Sequence, residues 1–146
     1  MRPIFSLTNE TTSQLPAGFA KIANRLLQIT VKEINREYEA ISLVIIESKT
    51  IRYLNKKYRK HDKVTDVLSF ILESKPVLGE IVICLRQASK QAARQQHSLT
   101  KELIILTIHG LVHLFGYDHI KLKDRKIMRP LEQKILHIYD RASHKK

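Results

Sequence analysis

Three histidines lie within eleven residues of this chain, at a spacing that a single metal ion can use: His109, His113 and His119. The first two are four residues apart in an apolar run with helical periodicity, so they share one helix face with Cβ atoms roughly 5–6 Å apart. Gly116 then supplies the left-handed conformation that commonly ends a helix, and a turn there can bring His119 back toward the other rings. The spacing therefore predicts a three-histidine metal site.

This ligand set indicates catalysis. Three neutral imidazoles leave the charge of a dication uncompensated and one tetrahedral position open, whereas structural zinc usually has four protein ligands. Such an ion lowers the pKa of bound water to about 7 and polarises a carbonyl or phosphoryl oxygen, which predicts hydrolysis. We expect one Zn²⁺ per chain, although Ni²⁺, cobalt and copper suit the same ligands.

The histidine spacing coincides with that of the metzincin proteases, with one difference. Metzincins carry a glutamate directly after the first histidine, where it activates water, but this chain has Gly110 there. A protease of that type would lack its general base, so Gly110 argues against peptide hydrolysis. Glycine within a helix costs about 1 kcal/mol relative to alanine. Either bulk is unwelcome beside the metal, or the helix packs tightly at this position.

A basic segment precedes a predicted buried strand and adds a second set of candidate residues. Arg59 is suited to binding a phosphate bidentately and to stabilising charge that develops during its reaction, and a catalytic role is therefore one of two interpretations of this residue. The alternative is a solvated helix end, where cations are favoured by the helix dipole. Four further cations are predicted to follow a nucleic-acid backbone without reading its sequence: Lys56, Lys57, Lys60 and Lys63.

Composition predicts one soluble domain over residues 1–146. The chain is 43% hydrophobic and 27% charged, which is typical of a folded globular protein. The lone Cys84 lies in an apolar run, cannot form an internal disulfide and fits a reducing cytoplasm. No apolar stretch approaches the roughly 20 residues that span a bilayer. We therefore expect a cytoplasmic protein with no signal peptide and no membrane partner.

The net charge of +12 is concentrated in the later part of the chain. Residues 1–50 contribute +1, residues 51–97 contribute +6 and residues 98–146 contribute +5. A field of this sign raises the local concentration of polyanions, above all nucleic acid. The alternative is that the protein is basic only for solubility.

Hydrophobic periodicity predicts an α+β domain with one small mixed β-sheet and helices packed on it. A helix that begins after Ser98 is apolar on nearly every side and therefore belongs in the core. Pro130 predicts either a kink or a break in the last helix. The other predicted elements are an extended segment 4–8, helices 19–35, 48–59, 86–96 and 121–141, and strands 40–47, 66–72 and 79–84.

The histidine segment resembles a known motif. His109 to His119 reads HGLVHLFGYDH and is similar to the HGxLHLxGYDH pattern of the YbeY family, single-strand-specific endoribonucleases and ribosomal RNA maturation factors. Residues 54–59 with 62–70 resemble the second motif of this family, and residues 79–83 resemble its third. The motifs occur in order over roughly residues 40–120.

The resemblance implies a zinc-like ion on a zincin-like helix, held by His109, His113 and His119, and an arginine at Arg59 that engages RNA. It also implies single-stranded ribosomal RNA as substrate, maturation of the 3′ end of small-subunit RNA, ribosome quality control, and ribosomal or assembly proteins as partners. No general base is obvious, and Asp118 is a candidate for orienting an imidazole.

Two alternatives remain open. One is a metalloprotease-like hydrolase, which Gly110 disfavours. The other is a non-catalytic ribosome-assembly factor, in which the metal only clamps the helix to the turn that follows it.

Overall fold

The computed structural model describes residues 4–35, 40–72, 77–116 and 122–143. Four strands and five helices occur in these ranges, and the predicted single α+β domain with a small mixed sheet is confirmed. The strands are β1 (Ile4–Asn9), β2 (Ala40–Ile46), β3 (Val67–Ile71) and β4 (Val77–Cys84). The helices are α1 (Phe19–Ile34), α2 (Ser48–Arg59), α3 (Leu85–Arg94), α4 (Leu99–Leu114) and α5 (Leu122–Ser143).

The sheet has the strand order β1-β2-β4-β3. The first three strands in this order are parallel, and β3 pairs antiparallel to β4 at one edge. Both faces of the central strands are covered, as is usual for parallel strands. On one face, alternate strand residues join a large core with α1, α4 and α5; on the other, they join a smaller core with α2.

Helix α4 passes through the large core. Ser98 caps its N-terminus as predicted, since the Ser98 side chain accepts a hydrogen bond of 3.1 Å from the backbone N–H of Lys101. The helix ends at Leu114, and Gly116 follows with a φ of +102°. Its N–H donates to the carbonyl of His113 at 3.0 Å. Local capping rules therefore predicted both ends of the helix that carries the first two histidines.

Helix α5 continues through Pro130 without the break that was one of the two predicted outcomes. Met128 and Ile135 are fully buried on either side of the proline and belong to the large core. Tertiary packing therefore stabilises the helix across a position where the proline removes a backbone donor. None of the helices in the described ranges is long and apolar enough to cross a membrane.

Candidate active site

His109 and His113 lie one turn apart on α4, in the half of the helix that leads to Gly116. Both are half-buried in a helix whose other positions are mostly buried. His119 and Asp118 fall outside the described residues. Within the described ranges, no three His, Cys, Asp or Glu side chains are grouped closely enough to hold a metal ion. The site of three histidines therefore stays a prediction, of which the structure describes two members.

The carboxylate of Glu132 lies next to the ring of His109. Oε1 of Glu132, on α5, is 3.3 Å from Nδ1 of His109, and the two side chains are 19% and 32% exposed. Metal-binding histidines usually direct one ring nitrogen to the ion and the other to a carboxylate, carbonyl or water. With a carboxylate at Nδ1, Nε2 would be the nitrogen that holds an ion. The donor chemistry of this helix face therefore fits a zinc-like ion.

Sequence reasoning missed Glu132. It lies on a different helix from the histidines, and no local motif marks it. The contact exists because α5 packs against α4 in the large core, which depends on tertiary structure.

Gly110 faces the sheet, against Ile81 of β4. A Cβ atom added at Gly110 would lie 2.7 Å from Cγ2 of Ile81 and 3.1 Å from both Cγ1 and Cδ1. Ile81 is fully buried. Tight packing therefore accounts for the glycine. A glutamate at this position would be directed at Ile81, which is a physical reason against a metzincin-like arrangement.

Arg59 is exposed but is held in place by the edge strand. Its Nη2 donates a hydrogen bond of 2.8 Å to the carbonyl of Ser69, and its Cζ lies 5.2 Å from the centre of the Phe70 ring. The Ser69 hydroxyl in turn donates to the carbonyl of Gly110 at 3.3 Å. Two hydrogen bonds thus connect Arg59, at the end of α2, with the histidine helix. This anchoring fixes the orientation of the Arg59 guanidinium.

The loop that follows α2 is held by a buried asparagine. Asn55 is only 4% exposed. Its side-chain Nδ2 donates a hydrogen bond of 3.0 Å to the backbone carbonyl of Lys63, and its backbone carbonyl accepts one of 3.2 Å from the N–H of His61. Arg52 pairs with Asp62 at 2.8 Å and lowers the pKa of that carboxyl. The four lysines proposed to contact RNA are all exposed around this segment: Lys56, Lys57, Lys60 and Lys63.

His97 and Asp66 belong to a structural network away from the histidine pair. His97 Nε2 lies 2.7 Å from Oε1 of Glu102, a buried residue of α4. Gln91, on α3, donates from Nε2 to Oε2 of Glu102 at 3.0 Å and to Oδ2 of Asp66 at 3.2 Å. The network joins α3 and α4 to Asp66, which directly precedes β3. Asp66 belongs to the second motif, and its contact here is a structural one.

Comparisons with known proteins identify the family to which this chain is related. The family described as endoribonuclease YbeY matches residues 6–140 of this chain. A protein named endoribonuclease YbeY from Finegoldia magna is 40% identical over 137 residues, which cover 90% of this chain and 85% of that protein. One of the same name from Caldicellulosiruptor bescii is 36% identical over 149 residues, covering 91% of this chain and 94% of the relative.

A third relative of that name, from Ureaplasma parvum, is 46% identical over 95 residues, and the match spans 62% of this chain and 61% of that protein's length. The solution structure of TM1509 from Thermotoga maritima is similar over 93% of this chain and 89% of its own, with a TM-score of 0.67 and 27% sequence identity. Because the family match extends over nearly the whole sequence, the chain belongs to the endoribonuclease YbeY family.

Proposed function

We propose that this protein is a metal-dependent endoribonuclease that cleaves single-stranded RNA during ribosomal RNA maturation. The observation that carries the proposal is the pair of imidazoles one turn apart on α4, with the Glu132 carboxylate against Nδ1 of His109. This is the donor arrangement of a histidine metal site. Membership of an endoribonuclease family makes RNA the expected substrate.

His109, His113 and His119 would hold one ion, with Zn²⁺ expected first and Ni²⁺ or another divalent transition metal as alternatives. When bound, such an ion supplies Lewis-acid stabilisation to phosphoryl oxygens and activates water. The protein contributes the geometry around it. Glu132 orients the His109 ring, and the contact of Gly110 with Ile81 fixes the distance of α4 from the sheet.

Arg59 would bind the scissile phosphate and stabilise its developing charge. A guanidinium carries five N–H donors in a rigid plane, and the hydrogen bond to the Ser69 carbonyl uses one of them while orienting the rest. Donors that are aligned before the reaction stabilise a transition state without a reorganisation cost. The exposed lysines around α2 would contact neighbouring phosphates.

The wider biological assignment follows from the basic charge and from the motif resemblance. We propose that residues 1–146 act as one nuclease domain in the cytoplasm, at the 3′ end of small-subunit ribosomal RNA and in ribosome quality control. The net charge of +12 suits a polyanionic substrate. Ribosomal RNA and ribosomal or assembly proteins are the proposed partners.

The test is cleavage of a single-stranded RNA from the small-subunit 3′ region by the zinc-loaded protein. We expect activity that a chelator abolishes, loss of activity in a folded His113→Ala variant, and a decrease of about 10²- to 10³-fold in Arg59→Glu. His137→Ala is the matched control, since His137 is an exposed histidine on α5 and its loss should change nothing. Equal cleavage by chelated protein or by His113→Ala would contradict the proposal.

The same variants separate the alternatives. If His113→Ala unfolds while the wild type leaves RNA intact, the metal is a structural clamp and the assembly-factor hypothesis is favoured. Metal-dependent cleavage of a peptide library with RNA left intact would favour the metalloprotease-like alternative.

A further inference from the structure

Most of the large exposed apolar side chains lie within one stretch of the chain. Six large hydrophobic side chains are exposed in the described ranges, and five of them lie between residues 53 and 72. Two are tyrosines of α2, Tyr53 at 60% and Tyr58 at 52% exposure. A soluble protein that leaves such side chains clustered on its surface commonly uses them for binding.

Cations lie against the aromatic rings in this cluster. The ammonium of Lys57 lies over both tyrosine rings, 5.8 Å from the centre of Tyr53 and 5.2 Å from that of Tyr58. The Tyr58 ring meets Phe70 edge to face, with centroids 5.3 Å apart at 68°. Phe70 in turn lies under Arg59, whose Cζ is 5.2 Å from its centre. We call these five residues the aromatic-cationic strip.

The strip ends at the candidate active site. Its last member, Arg59, is hydrogen-bonded to Ser69, and Ser69 is hydrogen-bonded to the carbonyl of Gly110, the residue between the two active-site histidines. Arg59, at one end of the strip, is thereby joined through Ser69 to the helix that carries the histidines. This link is the structural reason to expect that a strand bound along the strip also reaches the histidines.

We propose that the aromatic-cationic strip is a base-stacking surface for single-stranded RNA. Bases stack on Tyr53 and Tyr58, and Lys57 neutralises the phosphate between them. The inference rests on the proposed function, because the strand held here is the one that the histidine site would cleave. It adds that bases, and not the phosphate backbone alone, determine binding.

Stacking gives a physical reason for preferring single strands. Every base has two aromatic faces, so stacking on tyrosine is tolerant of sequence, but a base within a duplex has its faces covered by its neighbours. A surface of lysines alone would bind duplex and single strand through their phosphates. The exposed tyrosines are what should distinguish the two.

Local charge favours RNA over a protein as occupant. Residues 48–63 carry seven Lys or Arg and one Asp, and the pKa of the Lys57 ammonium is raised, chiefly through its interaction with Tyr58. A protein partner would need a strongly acidic surface interspersed with apolar side chains. A single-stranded nucleic acid provides both features in every nucleotide.

The test is fluorescence anisotropy of the metal-free protein with a labelled oligoadenylate, the same strand with abasic riboses, and a duplex. Binding is measured in chelator, so that cleavage plays no part. We expect Tyr53→Ala and Tyr58→Ala each to weaken binding to the oligoadenylate about 5-fold to 150-fold. Neither change should affect the abasic strand, and Tyr53→Phe should retain affinity.

Charge variants supply the matched control. Lys57→Ala should weaken binding to both strands. It should also reduce the slope of log affinity against log salt concentration by about 1, the value expected for the loss of one phosphate contact. Lys49→Ala removes an exposed lysine from the first turn of the same helix and should have a smaller effect. Circular dichroism establishes that each variant is folded, which matters most for Tyr58 because it packs on Phe70.

Three results would overturn the inference: equal losses on the base-containing and abasic strands, wild-type affinity in both tyrosine variants, or tighter binding of the duplex. A protein that binds as expected but does not cleave RNA would contradict the nuclease proposal and leave the strip intact. RNA cleavage that depends on His113 but not on Tyr53 or Tyr58 would support the nuclease proposal and contradict the stacking role of the strip.

Discussion

Replacing Gly110 by alanine tests whether this glycine exists for packing or for the metal. Alanine is favoured over glycine in a helix interior by about 0.8–1.0 kcal/mol, so the change would stabilise a helix with open space around it. Here the new Cβ would lie 2.7 Å from Cγ2 of Ile81. Forcing a methyl group into a filled core costs typically 1–3 kcal/mol. The sum predicts a net destabilisation of about 1 kcal/mol.

The sign depends on whether Ile81 can move. Ile81 is 0% exposed and lies on β4, which is hydrogen-bonded to β2 on one side and β3 on the other. Its closest atom is a methyl group on Cβ, which a rotation of the far end of the side chain does not displace. Relief therefore needs either a change in the χ1 rotamer of a fully buried side chain or a shift of α4, which also carries both histidines.

A double-mutant cycle isolates this contact. Ile81→Ala alone should cost about 2–5 kcal/mol, but it removes all three atoms that the new methyl group would meet. In the Ile81→Ala background, Gly110→Ala should raise the free energy of unfolding by about 1 kcal/mol. The effect of the same substitution therefore changes from destabilising to stabilising. The free energy of unfolding is measured in urea, with chelator present so that no metal contributes. Contacting residues are expected to show coupling of this kind.

The opposite outcome would refute the packing explanation. If Gly110→Ala raises the stability of the metal-free wild type by about 1 kcal/mol and lowers only its affinity for metal, the glycine is required beside the ion. If Gly110→Ala changes the free energy of unfolding by the same amount in the Ile81→Ala background as in the wild type, the contact with Ile81 does not explain the glycine.

Two further predictions concern carboxylates. Glu132→Gln should lower zinc affinity about 10- to 100-fold by removing the charge at Nδ1 of His109, measured by chelator competition; unchanged affinity would mean that the contact does not tune the metal. Burial, and to a lesser extent the charge of Glu10, raises the pKa of Glu80 in the folded protein. The fold therefore favours the protonated carboxyl. The stability that this protonated group contributes is present below the ordinary glutamate pKa of about 4.3 and is lost as pH rises through the pKa that Glu80 has in the folded protein. Glu80→Gln should therefore be the more stable protein in urea at neutral pH and equal to wild type in acid; the reverse pH dependence would show that the charged carboxylate is stabilised in the fold.

Local rules predicted much of the frame around the histidines. The cap at Ser98, the positive φ of Gly116 and the burial of α4 all follow from residue types and spacing within one segment. The small mixed sheet was predicted from segments with helical periodicity that occur together with only a few predicted strands. These features depend on interactions between residues that are close in sequence.

Contacts between distant elements could not be predicted in this way. Glu132 meets His109 only because two helices pack together, and Arg59 is anchored on Ser69 only because β3 forms the edge of the sheet. Pro130 illustrates the same limit of local reasoning, since core packing on both sides overrides its tendency to end a helix.

The most direct test of the central claim is the zinc stoichiometry of the purified, folded chain, measured together with that of two histidine variants. We expect one tightly bound ion in the wild type and in His137→Ala, and loss of that ion in His113→Ala. A wild-type protein that binds no divalent metal, or a His113→Ala variant that binds it as tightly as the wild type, would contradict the claim that the α4 histidines form a metal site.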